Sequence, residues 1–244
     1  MTQPLGRRLA AELVGTGTLV AAVVGSGIMA ERLSPDDVGL QLLANTGATV
    51  LALGVLVVVL APVSGAHLNP VVTLADWWTS RRADGGPSLG VAGAFVAAQT
   101  VGGLGGAVLA NLMFEVPTTL ARTARGGSGQ LLGEVVATAG LVVLVLTLVR
   151  TGRTHLAAPA VAAWIGAAVW FTSSTSFANP AVTVARAVSD TFAGIAPADV
   201  PGFVAAQLVG AAAGVGLVAL LHPARPAERQ DEPRREPVVV GVGE

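Results

Sequence analysis

The segment Ser64-Gly65-Ala66-His67-Leu68-Asn69-Pro70-Val71-Val72-Thr73 decides how this chain folds, because its last five residues return, with one change, as Asn179-Pro180-Ala181-Val182-Thr183. Asparagine is a good helix N-cap and proline is favoured at the first helical position, so Asn69 and Asn179 read as caps with Pro70 and Pro180 at N1. Helical character continues from Asn69 to about Thr79 and from Asn179 to about Thr191. About eleven residues at 1.5 Å rise make roughly 16 Å, half of a hydrocarbon core. One Asn-Pro dipeptide is ordinarily a loop turn. Two at matching places read as half-membrane helices whose positive amino ends meet at the midplane, where they oppose a cation and the Asn amides can donate to a passing neutral molecule.

Working outward, other marks recur in the same order. Phe95-Val96-Ala97-Ala98-Gln99 returns as Phe203-Val204-Ala205-Ala206-Gln207, followed by Gly102 and Gly106 against Gly210 and Gly214, and Glu12 has its counterpart in Glu134. The chain is therefore two similar halves, repeat one at about 5–115 and repeat two at about 129–222. Each half carries three spans, an odd number, so the halves insert with opposite orientation.

Composition agrees with lipid as the solvent. Of the 244 residues, 52% are hydrophobic and 12% charged, against roughly 25% charged in a soluble domain. Six runs reach spanning length: Leu9–Ala30, Gly39–Ala61, Leu89–Phe114, Gly129–Val149, His155–Ser173 and Gly202–Leu221. The first run is too long for a signal-peptide core and contains Glu12, so it reads as a retained span. Six spans put both termini on one side, together with Arg7, Arg8, Arg81, Arg82, Arg150 and Arg153, leaving Arg32, Arg122, Arg125 and Arg186 opposite. The positive-inside rule makes the richer side cytoplasmic, and the expected location is the plasma membrane. One channel domain over 1–222 is followed at 223–244 by a tail rich in Pro, Arg and Glu, with no hydrophobic period, which reads as disordered. No cysteine is present, so thiol and disulfide chemistry are excluded. No paired metal ligands, nucleophile and base, cofactor loop or nucleic-acid motif can be found, which points away from an enzyme.

The paired segments around Asn69-Pro70-Val71 and Asn179-Pro180-Ala181 resemble the signature segments of the aquaporin and aquaglyceroporin family, over about Leu5 to Leu221. The resemblance implies an all-α membrane fold of six spans and two re-entrant half-helices, a pore in each subunit, and a homotetramer in lipid. Val71 stands where the family usually has Ala. Glu12 and Glu134, costly in mid-span unless paired, are implied to brace the loops entering the half-helices. The rival reading makes them proton carriers of a coupled transporter. Gln99 and Gln207 read as supporting donors within the bundle, and His67 as lining the cytoplasmic half of the pore.

In that family an Arg follows the second Asn-Pro-Ala and helps make a narrow filter with three other side chains. Here its place is Val182, and the family's offsets put the other three at Thr49, Ala167 and Ser176. All four are small and uncharged. A wide pore is expected, passing water and neutral solutes of glycerol or urea size, with neutral metalloid hydroxides such as arsenous acid among them. Arg186 lies one turn beyond Val182, placed either to reach back toward the vacated position or to pair with Asp190 at i+4. Asp76 takes the matching place after Asn69.

Overall fold

The protein, seen in a computed structural model, is described over residues 3–81 and 86–222. The tail expected to be disordered, and Arg82, lie outside the described residues. Six helices are long and apolar enough to cross a membrane: α1 (Leu5–Leu33), α2 (Val38–Ser64), α4 (Leu89–Met113), α5 (Ser128–Arg150), α6 (Ala157–Phe171, extended by a 3-10 turn at Thr154–Leu156) and α8 (Val200–Leu221). Two shorter helices follow the Asn-Pro pairs, α3 (Pro70–Ser80) and α7 (Pro180–Arg186). No strand occurs among the described residues.

Small residues set the helix spacing. α1 crosses α4, and α5 crosses α8, with backbones in direct contact. A Cβ added at Gly102 would lie 2.1 Å from the Leu13 carbonyl oxygen, and one at Gly106 would lie 2.0 Å from that of Gly17. In the second half, Cβ atoms at Gly210 and Gly214 would lie 2.5 and 2.7 Å from the carbonyl oxygens of Val135 and Ala139. Lipid tails are as apolar as leucine, so close van der Waals approach of this kind is what holds membrane helices together. Of the tryptophans, Trp164 fills the space above Gly140 and donates its indole N–H to the Ala137 carbonyl at 3.0 Å, whereas Trp78 and Trp170 are exposed.

The second half-helix is shorter than expected, ending at Arg186 and not near Thr191. The reason lies in the loop between α4 and α5. Its Ala121 N–H takes the Ala187 carbonyl at 2.9 Å, and the Asn111 amide takes the Val188 carbonyl at 3.3 Å, so the chain turns away after two turns of helix. Ser189 Oγ donates to Asn111 Oδ1 at 2.7 Å and fixes the exit.

Candidate functional site

Both Asn residues are extended and cap their helices. Asn69 Oδ1 accepts from Val71 N–H at 3.0 Å, and Asn179 Oδ1 accepts from the N–H groups of Ala181 and Val182 at 3.1 and 3.3 Å. Their amide nitrogens cross the midline: Asn69 Nδ2 donates to the Ala178 carbonyl, and Asn179 Nδ2 to the Leu68 carbonyl, both at 2.8 Å. The two half-helices are thus locked amino end to amino end, each by the last residue before the other's Asn. Val71 is fully buried behind α3, packed with Ala75, Val142 and Leu146. Pro70, Pro180 and Ala181 are likewise buried in the first turns.

The approach to each Asn is strained in the same pattern. Ala66 and Leu68 in the first loop, and Ser176 and Ala178 in the second, have φ between 45° and 50°, the left-handed region that L-residues avoid. Buried carboxylates hold these turns. Glu12 accepts from Ser64 Oγ at 2.6 Å, His67 N–H at 3.0 Å, Leu68 N–H at 2.7 Å and Gln99 Nε2 at 2.7 Å. Glu134 accepts from the N–H groups of Phe177 and Ala178, both at 2.8 Å, and from Gln207 Nε2 at 2.6 Å. Each Gln also donates to the threonine four residues after its Asn, Gln99 to Thr73 at 2.9 Å and Gln207 to Thr183 at 2.8 Å. Each carboxylate is thereby committed to loop N–H groups and a glutamine, with four donors on Glu12 and three on Glu134.

A single cavity of about 1120 Å³ is lined by residues from both ends of the bundle, from Thr123 and Phe192 on one side to Asp76 and His155 on the other. Its middle is walled by the two strained loops and both Asn residues. The carbonyls of Gly65, Ala66 and His67, and of Thr175, Ser176 and Phe177, accept no hydrogen bond among the described residues, leaving free acceptors along a mostly aliphatic wall. His67 lines the same cavity, with Nδ1 3.1 Å from Thr73 Oγ1. Asp76 lines it too, while Arg81 stacks over Trp78 and leaves Asp76 without an arginine partner among the described residues.

Three of the residues placed in the filter by resemblance face this cavity: Thr49, Ser176 and Val182. The hydroxyls of Thr49 and Ser176 are buried and unpartnered among the described residues. Ala167 is corrected. It is exposed on the outside of α6, which presents Val161, Ile165 and Val169 to the cavity. Those three recur every fourth residue and share one helical face, and Ala167, two residues from both Ile165 and Val169, falls on the opposite one. The miss came from counting back across the loop 172–178 without seeing where the helix face turns. Val169 takes the wall position.

Arg186 does not pair with Asp190. Its side chain is buried, with the guanidinium 3.4 Å over the Phe177 ring and Nε donating to the Ala193 carbonyl. Asp190 lies beyond the end of α7 and instead accepts from Arg122, at 2.9 Å from its N–H and 3.6 Å from its guanidinium. Arg125, passed over in the sequence, stacks over the same ring at 5.1 Å and lines the cavity beside Arg186. An arginine in the irregular connection between α4 and α5 carries no periodic signal, so only the folded loop reveals it.

The family model described as major intrinsic protein matches residues 2–175. The chain is similar to the aquaglyceroporin AqpS of Rhizobium meliloti (strain 1021), 49% identical over 238 residues that cover 96% of this chain and 98% of that protein. It is also 33% identical to the probable aquaporin AqpM of Archaeoglobus fulgidus, over 91 residues that cover 32% of this chain and 37% of that one. Its fold is similar to the X-ray structure of the aquaglyceroporin from Plasmodium falciparum, with a TM-score of 0.67 and 17% identity, covering 89% of this chain and 97% of the other.

Proposed function

The chain belongs to the major intrinsic protein family, and from that premise we propose that its pore is a wide one, passing neutral solutes of glycerol and urea size and neutral metalloid hydroxides such as arsenous acid. It is a multi-pass membrane channel for water and small solutes, not an enzyme. We further assign it to the plasma membrane as a homotetramer with both termini in the cytoplasm, following the distribution of Arg between the loops.

The observation that carries the wide-pore reading is the wall of Thr49, Val169, Ser176 and Val182 beside the free loop carbonyls. These side chains bring neither ring nor charge into the passage. Two unpartnered hydroxyls and a row of carbonyls offer donors and acceptors that replace part of a polyol's hydration, and the aliphatic remainder accommodates its carbon face. Solute passing Asn69 and Asn179 meets two helix amino ends, which oppose cations.

Swelling of proteoliposomes against glycerol, urea and arsenous acid tests the reading. Flux should rise without saturation as the gradient steepens and should ignore an imposed proton gradient. Accumulation driven by that gradient would instead support proton-coupled transport through Glu12 and Glu134, for which the commitment of both carboxylates to loop N–H groups and glutamines offers no support.

A further inference from the structure

We propose that the outer vestibule contains a binding site for a small planar monovalent oxyanion, with Arg186 and Arg125 as its donors. A buried guanidinium is expensive unless something answers its charge. Arg186 is 7% exposed and forms no ion pair among the described residues, and its one hydrogen bond there, from Nε to Ala193, leaves both terminal amino groups free. Arg125 spends Nε on the Gly194 carbonyl at 2.7 Å and Nη2 on the Phe192 carbonyl at 3.1 Å, and its Nη1 is unused. Both stack on Phe177 and both line the cavity, so two like charges share one wall of the passage.

The carboxylates around them take their hydrogen bonds from other donors, and Glu134 answers the two positive charges only through space. Glu134 holds the N–H groups of Phe177 and Ala178, Asp190 holds Arg122, and Asp199 accepts the Arg125 backbone N–H at 2.7 Å. Glu31 also lines the cavity and is 3.4 Å from the Phe192 N–H. What remains is a pair of partly used guanidinium groups facing a wet cavity. Their flat fork matches an anion with two or three coplanar oxygens, and Phe177 keeps each plane from rotating away. An anion held there sits in the outer mouth, ahead of Val182, and obstructs solutes arriving from that side.

Nitrate is the suitable probe, being planar and ionised at any working pH. Apparent Tm of the purified full-length protein is followed in nitrate and in chloride at matched ionic strength. A saturable extra rise in nitrate is expected, since a ligand that binds only the folded form stabilises it by mass action. In Arg186→Gln the midpoint should move to about tenfold higher nitrate or beyond, as expected for losing charge-assisted hydrogen bonds. Arg186→Lys, which keeps charge but loses the fork, should fall between and covers the case in which the Gln variant does not fold. Equal curves in nitrate and chloride, or unchanged midpoints in both variants, would overturn the proposal. The obstruction rests on the channel reading and is read separately, as the ratio of glycerol flux with and without external nitrate. Absence of glycerol flux in nitrate-free vesicles counts against the channel reading alone, because the thermal measurement needs no transport.

Discussion

His67 and Phe177 stand at the same place in the two halves, each two residues before its Asn, and each meets the phenylalanine of the repeated Phe-Val-Ala-Ala-Gln segment edge-on. The ring centroids are 5.6 Å apart for His67 and Phe95, and 5.1 Å for Phe177 and Phe203. One ring pocket, built twice by the repeat, is filled by imidazole in the first half and by a benzene ring in the second. The benzene ring carries two arginines and the imidazole bonds Thr73. The halves share a scaffold and differ in polarity where solutes pass.

That equivalence predicts that the pocket of His67 accepts a benzene ring. His67→Phe should cost about 1 kcal/mol, the value of the one hydrogen bond to Thr73, whose hydroxyl keeps its bonds to Gln99 and Asn69. His67→Ala should cost more, about 2 kcal/mol or above, because it leaves a void against Phe95. Thermal unfolding of both variants checks the order, and a reversed order would show that the imidazole is held for its polarity and not for its ring.

The Glu braces predict a coupled loss of stability and conduction. Glu12→Gln replaces a four-acceptor carboxylate with an amide whose NH2 must face a donor, stranding at least one of Ser64, His67, Leu68 and Gln99. An unsatisfied buried donor costs about 1–3 kcal/mol, and the strained φ angles at Ala66 and Leu68 lose their clamp. Glu134→Gln should behave alike through Phe177 and Ala178. Tm and glycerol flux should fall together in both variants. A variant that keeps its Tm but loses flux would point to a direct role for the carboxylate in transport.

The inverted repeat was legible because its marks are identities at matched positions, and long apolar runs report spans with little dependence on tertiary context. Helix ends agree with the apolar runs to within a few residues, as at Val38–Ser64 against the expected Gly39–Ala61. Pore facing was legible only where it was tied to an Asn by short, fixed backbone, as for Ser176 three residues before Asn179. Thr49 was found on the face of one continuous helix. Ala167 was misplaced because its offset crosses the seven loop residues 172–178, whereas the count to Thr49 crosses only the four residues 65–68. The end of α7 depends on Ala121 and Asn111, contacts from far along the chain, and the seat of Arg186 on Ala193 in the irregular loop after α7, none of which a periodic pattern reports.

The glycine contacts predict a sharp split among conservative substitutions. Gly102→Ala and Gly106→Ala should each destabilise by about 1–3 kcal/mol, because the new methyl meets backbone oxygen of α1 and the helices must separate. Gly105→Ala, on the same helix with open space around its Cβ, should be neutral or slightly stabilising. Unfolding in a detergent series would show the difference, and equal effects at Gly102 and Gly105 would mean that α1 and α4 do not pack through these backbones.

Val182→Arg is the substitution that most directly tests pore width. Val182 packs with Leu53 and Ile165 and faces the cavity one turn inward of Arg186, whose own guanidinium is committed to Phe177 and Ala193. Arg186 is held there, and a new arginine at 182 adds bulk and charge beside Thr49, Val169 and Ser176, which bring neither. Its head group would find the unpartnered hydroxyls of Thr49 and Ser176 and the free carbonyls of the second loop as acceptors. That pairing would hold it across the passage. The parent is expected to pass water, glycerol, urea and arsenous acid in swelling assays, and the Arg variant to lose the larger solutes first while keeping water. A parent that already excludes everything larger than water would disprove the wide pore. Equal losses for water and glycerol would show that the arginine blocks the channel outright and does not select by size.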